Sequence, residues 1–543
     1  MLKTNPYIKE ALKQSVKPKI LFSAATASVV FASLITKLPD DIFAGSNEAY
    51  LRVPNVNDYL MAVLTFLVCY AILTGFQSFY GRIRNEETKA LSAKQGLIIF
   101  VILCLCWMPY WLTYFPGGLY SDTILCFRMA MGKRALTNHH PVLYTGIIKA
   151  CFLISQGSPQ GATFWLTLVQ YVFSAGVLSY LVVWLSRRGI GYIGTALTVI
   201  FFAIFPFFPL YAVYNWKDTL FSMCLVMFTL AVFDILLLKA EMLKNVKSAV
   251  SYFGWGILVC FLRNNGVFIV LLTTIILIIA YRDTVIKQAK PFMITATATL
   301  ALVILIQGPG FTALGLNADT AVESLGIPIQ QTAAVIAKDQ ITKEDTAYYQ
   351  QILSINHWKK YYTPLVVDSL KWSAPNFNSR PIEDHPGEFL RRWATLLPAH
   401  LPTMIEAYLM ATNSYWNLIR TMGICNFETG IWFEDIGVTN TNLLKKATTF
   451  DLSGFVEKIP PLPEGLCLFA LLSGVILLVL TGKSSIALGY TPIIIAVITV
   501  FLATPIASTL RYVFYLVPMM PVYFLAPLLR EENAYEILTG AVV

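Results

Sequence analysis

The chain has 543 residues, of which 56% are hydrophobic, 13% aromatic and only 13% charged. Soluble domains carry about a quarter charged residues, so an ordinary water-soluble enzyme is excluded and a polytopic membrane protein is implied. The formal charge of +9 does not point to nucleic acid, because Lys and Arg occur as short clusters between apolar runs, where a lipid bilayer accounts for them.

Segments of about 17 to 25 mostly apolar residues can cross the hydrocarbon core as helices. About twelve runs qualify by that criterion: 20 to 38, 58 to 80, 96 to 114, 163 to 185, 192 to 210, 218 to 238, 249 to 263, 266 to 281, 291 to 307, 465 to 482, 488 to 504 and 512 to 529. The first follows a lysine-rich leader, is long for a signal core and precedes no small-residue cleavage pattern, so it reads as a retained signal-anchor. Runs 249 to 263 and 266 to 281 are short and are separated by the polar tetrapeptide Arg263–Asn264–Asn265–Gly266. Cys69, Cys104, Cys106, Cys224, Cys260 and Cys467 lie inside apolar runs with no CxxC pair, and read as small apolar residues.

With the N-terminus in the cytoplasm, the clusters Lys3 to Lys19, Arg82 and Arg84, Arg187 and Arg188, Lys239 to Lys247, Arg282 to Lys290, and Lys483 all fall inside. An even number of spans returns the C-terminus inside as well. The hydrophilic insert 308 to 464 then falls outside; it holds 12 Lys/Arg against 16 Asp/Glu, leaving 28 against 15, a net +13, for the remainder. Four regions follow: 1–95, a leader with two helices; 96–307, a transmembrane core with a first outer loop at 115–162; 308–464, an extracytoplasmic, mainly helical domain; and 465–543, the closing helices.

In the outer loop, Pro141 to Ser155 is apolar but short and interrupted by Lys149, which suits a helix lying at the interface. A true span there would move Arg187 and Arg188 outside, against the charge rule. The same face collects Asp122, just beyond a Gly-Gly turn; His139 and His140; Lys217 and Asp218 at the start of a span; Arg263 and Asn264 at the broken pair; and Arg511 before the last span. All of these but Asp122 and Asn264 have a plainer reading. Lys217 and Asp218 would serve equally as interfacial anchors, Arg263 and Arg511 would snorkel to headgroups, and the histidines would cap the interfacial helix.

Charged groups at membrane depth are costly and need a partner or a task. An acid beside cations at the outer surface suits transfer from a lipid-linked phosphate donor. The acid accepts the proton of an acceptor hydroxyl as it attacks a sugar anomeric carbon, and Arg or Lys balances the leaving phosphate. Asp122 is the expected base, with Lys217, Arg263 and Arg511 as phosphate ligands and His139, His140, Asp218 and Asn264 lining the same outward-facing cavity. No Gly-rich nucleotide loop follows a strand-like run, and no cytoplasmic region is long enough for a sugar-nucleotide domain, so the donor is expected to be lipid-linked.

The order of span, outer loop with an early acid (Asp122), HHPVLYT (His139 to Thr145), interfacial helix and span ending in Arg187 and Arg188 resembles the GT-C superfamily of membrane glycosyltransferases, which includes protein O-mannosyltransferases and aminoarabinose transferases. The resemblance covers residues 90 to 310 at the level of pattern. It implies a GT-C-like core, a polyprenyl-phosphate sugar donor, a cell-envelope acceptor, and multi-pass insertion in the plasma membrane with the active site extracytoplasmic. Asp122 stands alone where many such enzymes carry two acids, so no residue is assigned to a metal; a divalent cation, Mg or Mn, is the one cofactor left open. The combination YSDT, NHHPVLYT, NWKDTLF, FLRNNG and ESLGIPIQQTA is also similar to a group of bacterial multi-spanning proteins that carry a domain of unknown function.

Within the insert, the aromatic stretch Ile341 to Pro364 suits sugar or polymer recognition and equally an ordinary folded domain. Arg380, among a run of acids, is a further candidate for substrate binding, and Ala399 to Trp416 reads as a helix along the membrane. Two other functions fit the composition. A flippase or transporter would use the broken pair at Arg263 to Gly266 as a midplane site, although no repeat relates the two halves. An envelope polysaccharide polymerase or ligase would share the lipid-phosphate chemistry with a longer donor.

Overall fold

A computed structural model describes residues 6–45, 48–83, 89–238, 240–316, 321–420 and 436–531, with side chains from residue 15 onward. The protein is an α-helical, multi-pass membrane protein. Among the described residues eight helices are long and apolar enough to cross a bilayer: Ser15–Ile35, Val56–Arg82, Ala93–Thr113, Pro159–Arg187, Lys217–Leu237, Lys290–Ala313, Ser484–Ala503 and Leu510–Leu528. Two bent pairs raise the number to ten if each is one span: Tyr192–Ile204 with Phe207–Val213, bent by 52°, and Gly266–Ala280 with Arg282–Gln288, bent by 94°.

Every one of the twelve predicted runs therefore overlaps an apolar helix, but length and composition support eight to ten spans among the described residues. The first bend falls at Pro206, which cannot continue the preceding hydrogen-bond ladder. The remaining two runs form the 17-residue helices Val246–Leu262 and Glu464–Leu480, which at 1.5 Å per residue extend only about 26 Å. The apolar stretch beyond Pro141 forms the 13-residue helix Val142–Ile154, about 20 Å long and too short to cross. Its Lys149 turns back to donate from Nζ to the carbonyl of Ala130 at 2.9 Å, closing the end of the preceding helix Ser121–Ala130.

Helix Lys217–Leu237 lies at the centre: 83% of its apolar window is buried, against 6% for Val56–Arg82, whose leucines, valines and aromatics face outward. Its far end is pinned by Asp234, which accepts from Arg188 Nη2 at 2.5 Å, Arg188 Nε at 3.0 Å and Trp184 Nε1 at 2.7 Å. Asp218 and Asp234 are sixteen residues apart on this helix, or about 24 Å, and no Asp, Glu, Lys or Arg lies between them. The core thus has two polar ends separated by an apolar layer.

Apolar residues of the insert 308–464 pack in two places. Residues between Val322 and Ala407 have a core of their own around Tyr349, Trp358, Tyr362 and Phe389. By contrast, Ile436, Val438, Leu452 and Val456 join the main transmembrane core. Apolar residues scattered through a polar stretch do not disclose which core they enter. The insert is tied to the segment before the last helix, where Val367 N–H donates to Pro505 O at 3.0 Å and Ala507 N–H to Leu365 O at 2.8 Å.

Near the centre two short segments pair in parallel, with Gly118 opposite Tyr214 and Leu119 opposite Asn215. Each then enters a helix, Ser121–Ala130 and Lys217–Leu237, so the pairing sets two helix starts side by side. A Cβ on Gly118 would lie 2.2 Å from the Tyr214 ring, and one on Gly117 would lie 1.9 Å from Thr167 Oγ1. Asn215 Nδ2 donates to Gly118 O at 3.1 Å and to Thr167 Oγ1 at 2.7 Å, and Thr123 Oγ1 donates to Asn215 O at 2.5 Å. Gly118→Ala should therefore lower thermal stability in detergent by about 1–3 kcal/mol. Gly146→Ala, in a helix with nothing within 4 Å of its new methyl, should be neutral or stabilising by up to about 1 kcal/mol. Equal stability of the two variants would contradict the close packing at Gly118.

Candidate functional site

The helix starts set side by side by the short parallel pair carry Asp122 and Lys217. Lys217 Nζ lies 2.9 Å from Asp122 Oδ2 and 3.0 Å from His140 Nδ1. Arg511, at the start of helix Leu510–Leu528, places Nη1 2.9 Å from the same Asp122 oxygen. The three side chains retain 23% (Asp122), 13% (Lys217) and 10% (Arg511) of their exposure. Segments 95 and 389 residues from Asp122 thus meet at one carboxylate oxygen.

Adjacent helical residues point about 100° apart, and Asp218 accordingly turns away from Asp122. Its side chain is 1% exposed and forms an ion pair with Arg263 at 3.3 Å. The Arg263 guanidinium lies over the rings of Phe221 and Tyr512, at 5.5 and 5.2 Å from their centroids. Arg511 is stacked likewise at 4.9 Å from both Tyr120 and Tyr512. Both guanidiniums thus lie against Tyr512, whose ring attracts cations and whose hydroxyl accepts from Arg511 Nη2 at 3.3 Å.

A third group comes from the insert. Lys371, with a side chain 1% exposed, lies 2.8 Å from both Glu323 and Asp368. Burial alone would lower its ammonium pKa, but Asp368 and Glu323 outweigh that and hold it raised. The neighbouring Trp372 points the other way; it is 68% exposed, and its ring centroid is 6.3 Å from that of His139. Together the three groups hold four acids (Asp122, Asp218, Glu323, Asp368) and four cations (Lys217, Arg263, Lys371, Arg511), and so are formally neutral.

Burial pushes the Asp122 carboxyl up, but Arg511 and then Lys217 more than offset this and hold it well below the usual carboxylate range. Burial, and after it Lys217, pushes the His140 imidazole down to about 3. His140 is therefore neutral near pH 7. Because an ammonium only donates, Nδ1 accepts from Lys217 and the ring proton resides on Nε2. Nε2 is buried and has no hydrogen-bond partner among the described residues.

Of the residues expected from sequence, Asp122, His140, Lys217 and Arg511 form one contact group, and Asp218 and Arg263 an adjoining pair. His139 is exposed beside His140, with ring centroids 4.6 Å apart. Asn264 Nδ2 donates to the Asn138 carbonyl at 3.3 Å, which ties the Arg263–Gly266 break to the histidine loop. Arg380 does not join them. It is exposed at the start of the short helix Arg380–Glu383, and no side-chain contact links it to the site among the described residues. Tyr120, Tyr512, Lys371, Asp368 and Trp372 were not singled out by sequence. The Asp368/Lys371 spacing of three inside an apolar run was the available signal for the buried pair.

Among the described residues no group of three or more His, Cys, Asp or Glu side chains could hold a metal ion. Two cationic groups crowd Asp122 Oδ2, so these residues do not suit the divalent cation left open above. The Asp218–Arg263 pair can be tested directly. Arg263→Met strands a buried carboxylate and should cost about 3–5 kcal/mol. Adding Asp218→Asn should restore most of the loss in thermal unfolding of the detergent-solubilised protein. A double variant no more stable than the single one would show that the pair is not coupled.

No curated protein and no solved structure matches the chain. Residues 129–537 match a family of unknown function, DUF6020. That range includes NHHPVLYT, NWKDTLF, FLRNNG and ESLGIPIQQTA and all four cations of the site, and it begins after Asp122. The match covers about three quarters of the sequence, and the chain belongs to this family of unknown function.

Proposed function

We propose that the protein is a glycosyltransferase that takes a sugar from a polyprenyl-phosphate carrier and places it on a cell-envelope acceptor at the outer face of the plasma membrane. The observation that carries this reading is the sharing of Asp122 Oδ2 by Lys217 and Arg511, each at 2.9 Å, where helices 217–237 and 510–528 begin. One group can take a proton there and two can neutralise a phosphate. The ends of apolar spans lie at headgroup level, where a polyprenyl chain can remain in the hydrocarbon while its phosphate reaches the cations.

In the proposed step the acceptor hydroxyl oxygen bonds to the anomeric carbon as the bond from that carbon to the phosphate oxygen breaks. The hydroxyl proton passes to Asp122, and the bonding pair leaves with the phosphate, which Arg511 and Lys217 hold. The planar guanidinium of Arg511 suits two phosphate oxygens at once. The exposed faces of Trp372 and His139 offer flat surface beside this corner for a sugar ring.

Under this reading residues 96–307 form a GT-C-like core and all twelve apolar helices cross. Contacts at both ends of the two 17-residue helices support the count. Val246–Leu262 starts near Asp234, where Ser248 and Asp234 line one cavity, and ends at Arg263 beside Asp218. Glu464–Leu480 starts where Ser508 Oγ donates to Glu464 at 3.4 Å and ends next to Lys483, whose Nζ donates to Leu529 O at 2.6 Å. The cations at the Asp234 end, Arg187, Arg188, Lys244, Lys247 and Lys483, favour a cytoplasmic position for that end and, with an even number of spans, for both termini.

In nanodiscs supplied with a synthetic polyprenyl-phosphate sugar and an envelope-glycan acceptor, Asp122→Asn should lower transfer by about 10²–10⁴. Cells lacking the protein should accumulate the sugar-charged carrier, read by mass spectrometry. Unchanged transfer by a correctly inserted Asp122→Asn variant would remove Asp122 from the chemistry. Labelling of Trp372→Cys by an impermeant maleimide only from the cytoplasmic side would reverse the sidedness.

A further inference from the structure

With the ligand class resting on that reading, we propose that the corner formed by Lys217, Arg511 and His140 binds the phosphate of the lipid carrier, in the sugar-charged donor and in the released carrier alike, and that Asp122 occupies this place in the free protein as an internal anion. Phosphate displaces the carboxylate, and the displaced carboxylate is then able to receive the acceptor's proton.

The geometry gives three reasons. Asp122 Oδ2 receives both cations, and neither Lys217 nor Arg511 has another carboxylate within 4 Å among the described residues. An anion entering here must therefore replace that oxygen, because the two cations are nearly buried and offer no second face of comparable strength. Next, His140 presents a buried Nε2–H without an acceptor among the described residues. An unsatisfied buried donor is costly, and an oxygen of a bound phosphate would remove the deficit. Finally, the four acids and four cations of the three groups balance, so an added phosphate leaves an excess negative charge beside the cations that is lessened if Asp122, still ionised, leaves them and turns toward water.

The consequence bears on catalysis. While held by Arg511 and Lys217, Asp122 is a weak base. Once a phosphate takes over those contacts, the carboxylate loses two cationic neighbours and gains an anionic one, and its affinity for a proton rises. The base thus becomes competent only when the donor is in place, and the free site holds no strong base next to water.

The test is binding, not turnover. Farnesyl phosphate is titrated against the full-length protein in nanodiscs, wild type and variant. Asp122→Asn removes the internal competitor and should bind farnesyl phosphate about tenfold tighter or more, the worth of one charge-assisted hydrogen bond. Asp122→Ser should do the same, and guards against a folding defect peculiar to the asparagine. Both variants should gain more thermal stability from farnesyl phosphate than the wild type does. Arg511→Met should abolish binding in either background. Inorganic phosphate should show the same ordering of variants at weaker affinity; binding as tight as that of farnesyl phosphate would overturn the assignment to a lipid carrier. Equal or weaker binding by both Asp122 variants would overturn the internal-anion proposal. The two ideas fail separately: absence of sugar transfer by the wild type, with the affinity ratio intact, removes the transferase reading alone. Transfer without the ratio removes this inference alone.

Discussion

The organisation of the Asp122 end of this protein follows from one constraint: a charge at the edge of an apolar bundle needs a partner, and here the partners are far apart in sequence. Asp122 cannot stand beside the bilayer alone, and the two cations that hold it come from the starts of helices 217–237 and 510–528. The first loop, the central helix and the last helix are thereby fixed to one another through a single oxygen. The parallel pairing of Gly118–Leu119 with Tyr214–Asn215 supplies the distance at which this works, and the two glycines are needed because the aromatic ring of Tyr214 and the hydroxyl of Thr167 fill the space a side chain would take.

The central helix shows how the same constraint is met at the other end. Asp234 is paired with Arg188 and Trp184, and the residues between Asp218 and Asp234 carry no Asp, Glu, Lys or Arg. Two clamps about 24 Å apart on one buried helix give the core a defined register relative to the bilayer, since sliding the helix by a turn would draw one ion pair into hydrocarbon. They differ in kind. At Asp234 the acid is enclosed by a bidentate arginine and an indole, whereas at Asp122 the acid faces a chain of titratable and aromatic groups that continues into the insert.

Much of this could be read from the sequence, because charges at the ends of apolar runs are conspicuous and the run lengths set the helices. Asp122, His140, Lys217, Asp218, Arg263 and Arg511 were all marked by that logic alone. Their pairing was not legible: Lys217 and Asp218 look like one dipeptide, yet the helical turn sends one to Asp122 and the other to Arg263. The insert was the least informative part. In a polar stretch, charge carries no depth information, so Arg380 could not be distinguished from Lys371, although one is exposed and the other is nearly sealed between Glu323 and Asp368. Nor could sequence tell that residues near Ile436 and Leu452 enter the transmembrane core while those near Trp358 form a separate one. The number of crossings was uncertain for a related reason, since a 17-residue helix satisfies an apolar-run criterion more easily than a length criterion.

The energetic character of the site bears on why such a network exists. Buried ion pairs stabilise a fold weakly, because the cost of taking both partners out of water roughly cancels their attraction, and well-packed apolar groups often serve as well. A bundle that needed only to hold these three helix starts together could do so with leucines at far lower risk. The arrangement instead keeps two cations, Lys217 and Arg511, on one oxygen of a partly buried carboxylate, with Arg511 against two tyrosine rings and an imidazole N–H left without an acceptor among the described residues. Such a state is satisfied in charge but not in hydrogen bonds, and it is sensitive to any anion that can offer more oxygens than one carboxylate does. That property has little value for holding helices together and considerable value for receiving a phosphate, which favours reading the network as a site first and a clamp second.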